Sequence, residues 1–327
     1  MSGWIDGGFF VFDRGVMRYL REKTLLTSAR ESGEAPWEIG DWTRLLRPSQ
    51  WIKNFFVLAA LLFSGQATQM PKVLAALGAF AAFCLLSSCV YIFNDIVDRK
   101  ADRTHPTKRN RPIAAGLIAV GPATGLGIGL AVAGLAGAYL VAPAVALGGA
   151  AYLALNVLYM AWLKRVVLLD VFSLAAFFLL RLLVGAAAVT ATPSIWLVLC
   201  GSLIALYLGF AKRRHELTLL GTDSTEHREV LAHYSEVFLD QMSVVLLSVT
   251  IVAYIMYTVF SETALAIGSN ALVYSTIFVL YGVFRYLYLV HQRDGGSPTE
   301  TLLTDPAIMI NGMLWLAYCS WAIYQPL

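Results

Sequence analysis

Residues 94–116 read NDIVDRKADRTHPTKRNRPIAAG: three carboxylates, Asp95, Asp98 and Asp102, running into the basic side chains Lys108, Arg109 and Arg111 and a proline-closed turn. Strongly apolar sequence flanks this block on both sides. Charge beside hydrocarbon is unfavourable by several kcal/mol per group unless it is paired, hydrated or bound to an ion. The block therefore reads as a site set at the boundary of two membrane spans, and that reading decides the fold.

The rest of the chain agrees. Of 327 residues, 58% are hydrophobic and only 14% charged, whereas soluble domains carry about 25% charged residues. Apolar stretches of roughly 18–25 residues recur, the length that hydrocarbon about 30 Å thick requires. The sequence predicts an all-α, polytopic membrane protein with nine transmembrane helices, at about 51–68, 72–93, 116–140, 143–163, 167–190, 194–211, 241–260, 269–290 and 306–325. Gly and Ala crowd the third span, which favours close helix packing.

Of the 24 Lys and Arg residues, all but Lys72, Arg181 and Arg285 precede or open the first span or fall in even-numbered loops. The positive-inside rule then places the N-terminus and those loops in the cytoplasm and, with nine spans, the C-terminus outside. Residues 1–40 form a separate N-terminal segment with no apolar signal-peptide core. Its GVMRYLREKTLL stretch reads as an amphipathic helix on the anionic cytoplasmic surface or as a polar tail. Residues 41–327 form the transmembrane domain. Basic groups confined to membrane-proximal loops among carboxylates argue against nucleic acid as a partner. Cys84, Cys89, Cys200 and Cys319 fall within spans with no metal-ligand spacing, so packing is their expected role.

Positions 95, 98 and 102 are spaced i, i+3 and i+7, which puts all three on one face if the second span continues as a helix into the cytoplasm. Asn94, one turn from Asp98, can add a carbonyl oxygen. Hard oxygen donors of this kind suit Mg²⁺, which keeps waters and binds substrate phosphates along with one or two carboxylates. The competing reading is a solvated helix end paired to Arg99, Lys100 and Arg103. After a turn at His105–Pro106, Lys108, Arg109 and Arg111 complete a mixed-charge pocket fit to hold a diphosphate. An ionisable residue inside the membrane is a functional-site candidate by default; Arg181, midway along the fifth span, is read instead as snorkelling outward or pairing inside the bundle. His105, His215, His227, His233 and His291 all fall in loops or at helix ends.

NDIVDRKAD matches the NDxxDxxxD pattern of the UbiA superfamily of intramembrane prenyltransferases. LLRPSQWIKN (45–54), YIFNDIVDRKADRTHPTKRNRPIAAG (91–116), AKRRHEL (211–217) and GGSPTETLLTDP (295–306) resemble its decaprenyl-phosphate phosphoribosyltransferase branch. The resemblance runs from about residue 41 to the end of the chain. It implies a UbiA-like bundle in a bacterial-type plasma (inner) membrane, with a cytoplasmic-side active site. The implied reaction is Mg²⁺-dependent transfer of 5-phosphoribose from 5-phosphoribosyl-1-pyrophosphate to a polyprenyl (decaprenyl-type) phosphate, a precursor step for cell-envelope glycan. Partners would be these two substrates and membrane lipids, with a homo-oligomer left open. Aromatic prenyltransferases of the superfamily usually carry a second Asp-rich motif, but here NVLYMAWLKRVVLLDVF holds only Tyr159, Lys164 and a lone Asp170. Met160 departs from the Ser often found in the branch. An aromatic polyprenyltransferase using a polyprenyl diphosphate donor is the alternative.

By resemblance, Asp95, Asp98, Asp102 and Lys164 are catalytic, and Asp95, Asp98, Asp102 and Asn94 hold the metal. Gln50, Lys53, Asn54, Tyr91, Asn94, Lys108, Arg109, Arg111, Asn156, Tyr159, Asp170, Lys212, Arg213, Arg214 and Glu216 bind substrate, with Gln50, Lys53 and Asn54 facing the pocket. The KRR cluster at 212–214 would serve the donor's second phosphate. A transporter, the reading from another class, usually gathers polar groups and broken helices at the midplane. Here nearly all charge lies at one face.

Overall fold

The structure is a computed structural model that describes residues 39–105, 108–220, 229–267, 270–292 and 304–324. The GVMRYLREKTLL segment, the turn proline Pro106 and residues 295–303 of the closing motif lie outside the described residues. All regular elements described are helical. They are α1 (Ile39–Leu46), a 3-10 segment (Pro48–Phe55) leading into α2 (Phe56–Phe63), α3 (Met70–Thr104), α4 (Val120–Val141), α5 (Pro143–Ala161) and α6 (Leu169–Ala188). There follow α7 (Ile195–Leu220), α8 (Glu236–Phe260), α9 (Glu262–Ile267), α10 (Thr276–Gln292) and α11 (Pro306–Tyr324).

Among the described residues, 8 helices are long and apolar enough to cross a membrane, and they coincide with the second to ninth expected spans. Their outward faces carry bare apolar side chains such as Leu140, Leu147 and Ile195, as lipid contact requires. The first expected span differs. It is a 3-10 stretch followed by a helix of only 8 residues. Pro48 and the polar run Ser49, Gln50, Lys53 and Asn54 do not support one long apolar helix. Helix α3 goes the other way: its 35 residues extend about 50 Å at 1.5 Å per residue, well beyond hydrocarbon about 30 Å thick. Asp95, Asp98 and Asp102 ride on its last three turns, so the continuation expected from their spacing is present.

The chain divides into two compact units: Met1–Arg47 with Tyr91–Leu126, and Pro48–Val90 with Gly127–Leu327. In the first, α1 and the end of α3 meet a tight turn over residues 108–118. That turn closes through Ala115 N to Arg111 O at 2.8 Å and Ile118 N to Pro112 O at 3.2 Å. Gly116 adopts φ +77°, a left-handed conformation that suits glycine.

The second unit packs around Phe83, Leu86, Tyr152 and Phe177. Helices α2 and α6 approach closely, so that a Cβ on Gly185 would overlap the carbonyl oxygen of Val57. Gly185→Ala is therefore expected to destabilise the protein by about 1–3 kcal/mol, the usual range for overpacking a filled core. Thermal unfolding in detergent checks this, and an unchanged midpoint would refute the close approach.

Arg181 lies in this core, 4% exposed. Its Nε donates to Asn54 Oδ1 at 2.8 Å, Nη1 to Phe177 O at 2.7 Å and Nη2 to Tyr152 OH at 3.1 Å. Its guanidinium carbon stands 4.8 Å from the Tyr152 ring centroid. Of the two readings for Arg181, pairing inside the bundle is the observed one, and these acceptors are neutral. Asn54 is consequently not at a pocket wall: it is wholly buried, and its Nδ2 also donates to Ser87 Oγ at 3.2 Å. A guanidinium this deep needs its donors satisfied, and that requirement draws Asn54 inward.

Candidate active site

In the first unit, the acidic face of α3 meets two arginines. Asp95 is 2% exposed. Its Oδ1 accepts from Arg47 Nη2 at 2.5 Å and from Arg111 Nη1 at 3.2 Å. The same Arg111 Nη1 lies 2.6 Å from Asp102 Oδ2, so one guanidinium bridges two carboxylates. Asp98 is half-buried on the same helix, as is Asn94. The charge of Asp95 and Asp102 is thus met by Arg47 and Arg111. Arg103 Nε instead donates to Ala114 O at 3.1 Å and holds the 108–118 turn, while Arg44 Nη2 donates to Asn110 O at 2.9 Å.

Arg47 is aimed by its backbone. It follows α1 at φ +52°, a left-handed conformation that costs a non-glycine residue about 1–2 kcal/mol, and Pro48 follows it. Its guanidinium also stands 5.1 Å from the Tyr91 ring centroid, which places Tyr91 beside the acids. Among the described residues, no three His, Cys, Asp or Glu side chains converge as a ready ligand set. The donor chemistry nevertheless fits a hard divalent cation. Asp95 Oδ2 is buried with no hydrogen-bond partner, an arrangement that costs about 1–3 kcal/mol unless something coordinates it. Lys108 and Arg109 are exposed on the adjoining 3-10 turn.

In the second unit, the AKRRHEL segment closes α7, and each basic residue has a different fate. Arg213 is fully buried and bonded on three sides: Nε to Asp170 Oδ2 at 2.5 Å, Nη1 to Glu216 Oε2 at 2.5 Å and Nη2 to Tyr159 OH at 3.4 Å. Arg214 pairs with Asp240 on α8 through Nε at 2.5 Å and Nη2 at 3.4 Å. Only Lys212, with its side chain 47% exposed and Glu216 4.0 Å away, is placed for contact with a soluble ligand. Of the three basic residues expected to serve a phosphate, Arg213 and Arg214 are thus engaged by carboxylates of the protein. Arg213 has two carboxylates to offset the desolvation of its buried charge, whereas Arg181 has neutral acceptors and an aromatic face.

Asp170 is likewise fully buried, and Tyr234 OH donates to its Oδ1 at 2.8 Å. The same hydroxyl accepts the Leu168 N–H at 2.7 Å, where the backbone has φ +66°. Burial pushes the Tyr234 phenol well above its usual range, so it stays protonated as a donor. Asn156 is buried and bonded to its own helix through Tyr152 O at 2.7 Å. Lys164 is half-buried in the 3-10 turn Leu163–Arg165, and Lys53 Nζ donates to Gln50 Oε1 at 2.7 Å. In the closing motif, Asp305 accepts from Ile308 N at 2.9 Å and caps α11, with Pro306 at the first helical position. The hydrogen bond from Arg285 holds the Asp305 carboxyl below its ordinary pKa.

Eleven of the expected residues fall into three groups. Asp95, Asp102, Arg111 and Tyr91 come together in the first unit. Asp170, Arg213, Glu216 and Tyr159 form one network in the second. Asn54, Asn156 and Arg214 are engaged by the protein itself. Sequence reasoning missed Arg47, although it sits inside the quoted LLRPSQWIKN stretch, and it missed Tyr234, a single loop tyrosine with no sequence signal.

The sequence pattern of the UbiA prenyltransferase family matches residues 54–315. A Corynebacterium glutamicum protein named decaprenyl-phosphate phosphoribosyltransferase is 30% identical over 286 residues, covering 86% of this chain and 86% of its own. One of the same name from Mycolicibacterium smegmatis is 31% identical over 291 residues, covering 86% of this chain and 92% of its own. Among solved structures, a UbiA homologue from Archaeoglobus fulgidus bound to GPP and Mg²⁺ superposes with a TM-score of 0.65 at 19% identity, over 87% of this chain and 100% of that one. The acidic helix end, the eight long apolar helices and the family match over most of the sequence lead to one assignment: the chain is a multi-pass membrane enzyme that belongs to the UbiA prenyltransferase family.

Proposed function

We propose that this enzyme transfers 5-phosphoribose from 5-phosphoribosyl-1-pyrophosphate to a polyprenyl phosphate of the decaprenyl type, releasing pyrophosphate. The observation that carries the reading is the fate of Asp170. Together with Glu216 it is bonded to Arg213, so these two carboxylates do not act as a second Asp-rich motif for a lipid diphosphate. Relatives named decaprenyl-phosphate phosphoribosyltransferase at about 30% identity support the same substrates. Residues 41–327 act as one catalytic domain in a bacterial-type inner membrane, and the charge asymmetry of the loops supports chemistry at its cytoplasmic face.

Asp95, Asp98 and Asp102, with Asn94, would hold Mg²⁺. When bound, the ion neutralises charge on the departing diphosphate. Lys108 and Arg109 hold diphosphate oxygens, while Lys212, Lys164 and Tyr159 bind the 5-phosphate. Arg213 and Asp170 fix Tyr159 and Glu216 from behind. An oxygen of the lipid phosphate, anionic at neutral pH, bonds to the anomeric carbon as the bond from that carbon to pyrophosphate breaks. No proton needs to be removed from the nucleophile, so the chemistry runs on positioning and fixed charge rather than on a general base.

Purified protein is tested with two substrate pairs. Sugar diphosphate with polyprenyl phosphate is expected to give a labelled lipid. A product only from polyprenyl diphosphate with an aromatic acceptor would replace this reading by that of an aromatic prenyltransferase. Lys212→Ala is expected to raise the apparent KM for the sugar donor roughly tenfold or more, since a charge-assisted phosphate contact is worth about 1.5–3 kcal/mol. Steady-state kinetics over donor concentration checks this, and an unchanged KM would remove Lys212 from the site.

A further inference from the structure

We infer that Arg111 is a built-in counter-cation of the carboxylate pair, displaced when a divalent cation binds and thereby released to grip the substrate's diphosphate. The inference rests on the proposed role of Asp95 and Asp102 in holding that cation. Arg111 Nη1 lies 3.2 Å from Asp95 Oδ1 and 2.6 Å from Asp102 Oδ2. A Mg²⁺ between the same carboxylates needs those oxygens at about 2.0–2.1 Å. One guanidinium nitrogen and one metal ion cannot both occupy that place.

The two arginines are built differently. Arg47 is fixed by its left-handed backbone before Pro48 and by the Tyr91 ring. Arg111 projects from a turn that is closed by its own backbone bonds, and its side chain is 24% exposed. It can therefore swing away without unfolding the turn, leaving Arg47 to keep Asp95 paired. Asp95 Oδ2, buried and unpartnered, adds a further oxygen beside the contested Oδ1. Once displaced, Arg111 adds a fork of donors suited to phosphate. Cation and diphosphate then each favour the other's binding, a coupling that must be reciprocal.

The test is Mn²⁺ binding to the full-length protein in detergent, without any phosphate compound, read from the electron paramagnetic resonance signal of free Mn²⁺. Arg111→Gln is expected to tighten Mn²⁺ binding about tenfold, because the competing cation is gone. Arg111→Lys, whose single ammonium bridges less well, is expected to tighten it severalfold and keeps the test decisive if the Gln variant folds poorly. Asp95→Asn should remove the binding. Affinity that is unchanged or weaker in both Arg111 variants overturns the displacement. Absence of Mn²⁺ binding in all forms, or binding indifferent to Asp95→Asn, overturns the cation site itself.

Discussion

Asp95→Asn is expected to lower Mg²⁺-dependent transfer by about a thousandfold, the upper end of what one electrostatic contact contributes to a charged transition state. The side chain keeps its shape but loses the charge that faces Arg47 and Arg111. It also loses one of two equivalent carboxylate oxygens, Oδ2 being the buried one without a partner. Gel filtration should show a folded protein, since Asn preserves volume and a carbonyl acceptor. Transfer assays across Mg²⁺ concentrations read the effect, and activity near wild type at any concentration would exclude Asp95 as a metal ligand.

Arg213→Ala should have the largest effect on stability. The substitution empties a fully buried site and leaves Asp170, itself fully buried, without its cation. Breaking a buried pair in this way typically costs about 3–5 kcal/mol. The double variant Asp170→Asn, Arg213→Met removes the unpaired charge and is expected to recover most of the loss in thermal unfolding. It should still transfer poorly, because Tyr159 and Glu216 lose the group that orients them. A double variant that is both stable and fully active would show that the network is packing alone.

Much of this architecture is legible in the sequence, for physical reasons. Hydrocarbon demands long apolar helices, so the spans matching α3 through α11 announce themselves by length and lack of charge. The i, i+3, i+7 spacing of Asp95, Asp98 and Asp102 is likewise a local property of one helix. What is hidden depends on packing between helices. Lys212, Arg213 and Arg214 are adjacent and chemically alike, and only the rotation of α7 against α6 and α8 sends one to Asp170, one to Asp240 and one outward. Asn54 looks like a polar residue at a span opening, yet Arg181, 127 positions later, draws it into the core. Arg47 depends on a backbone angle that its own identity does not encode.

In the proposed reaction the bond broken lies between a soluble sugar and its diphosphate. The direct measurement uses 5-phosphoribosyl-1-pyrophosphate labelled either at the 5-phosphate or in the diphosphate, incubated with purified protein, Mg²⁺ and polyprenyl phosphate. The 5-phosphate label is expected in the lipid fraction, with the diphosphate label released as free pyrophosphate in equal amount. Diphosphate label in the lipid, or no transfer of either label by protein that binds both substrates, would contradict it.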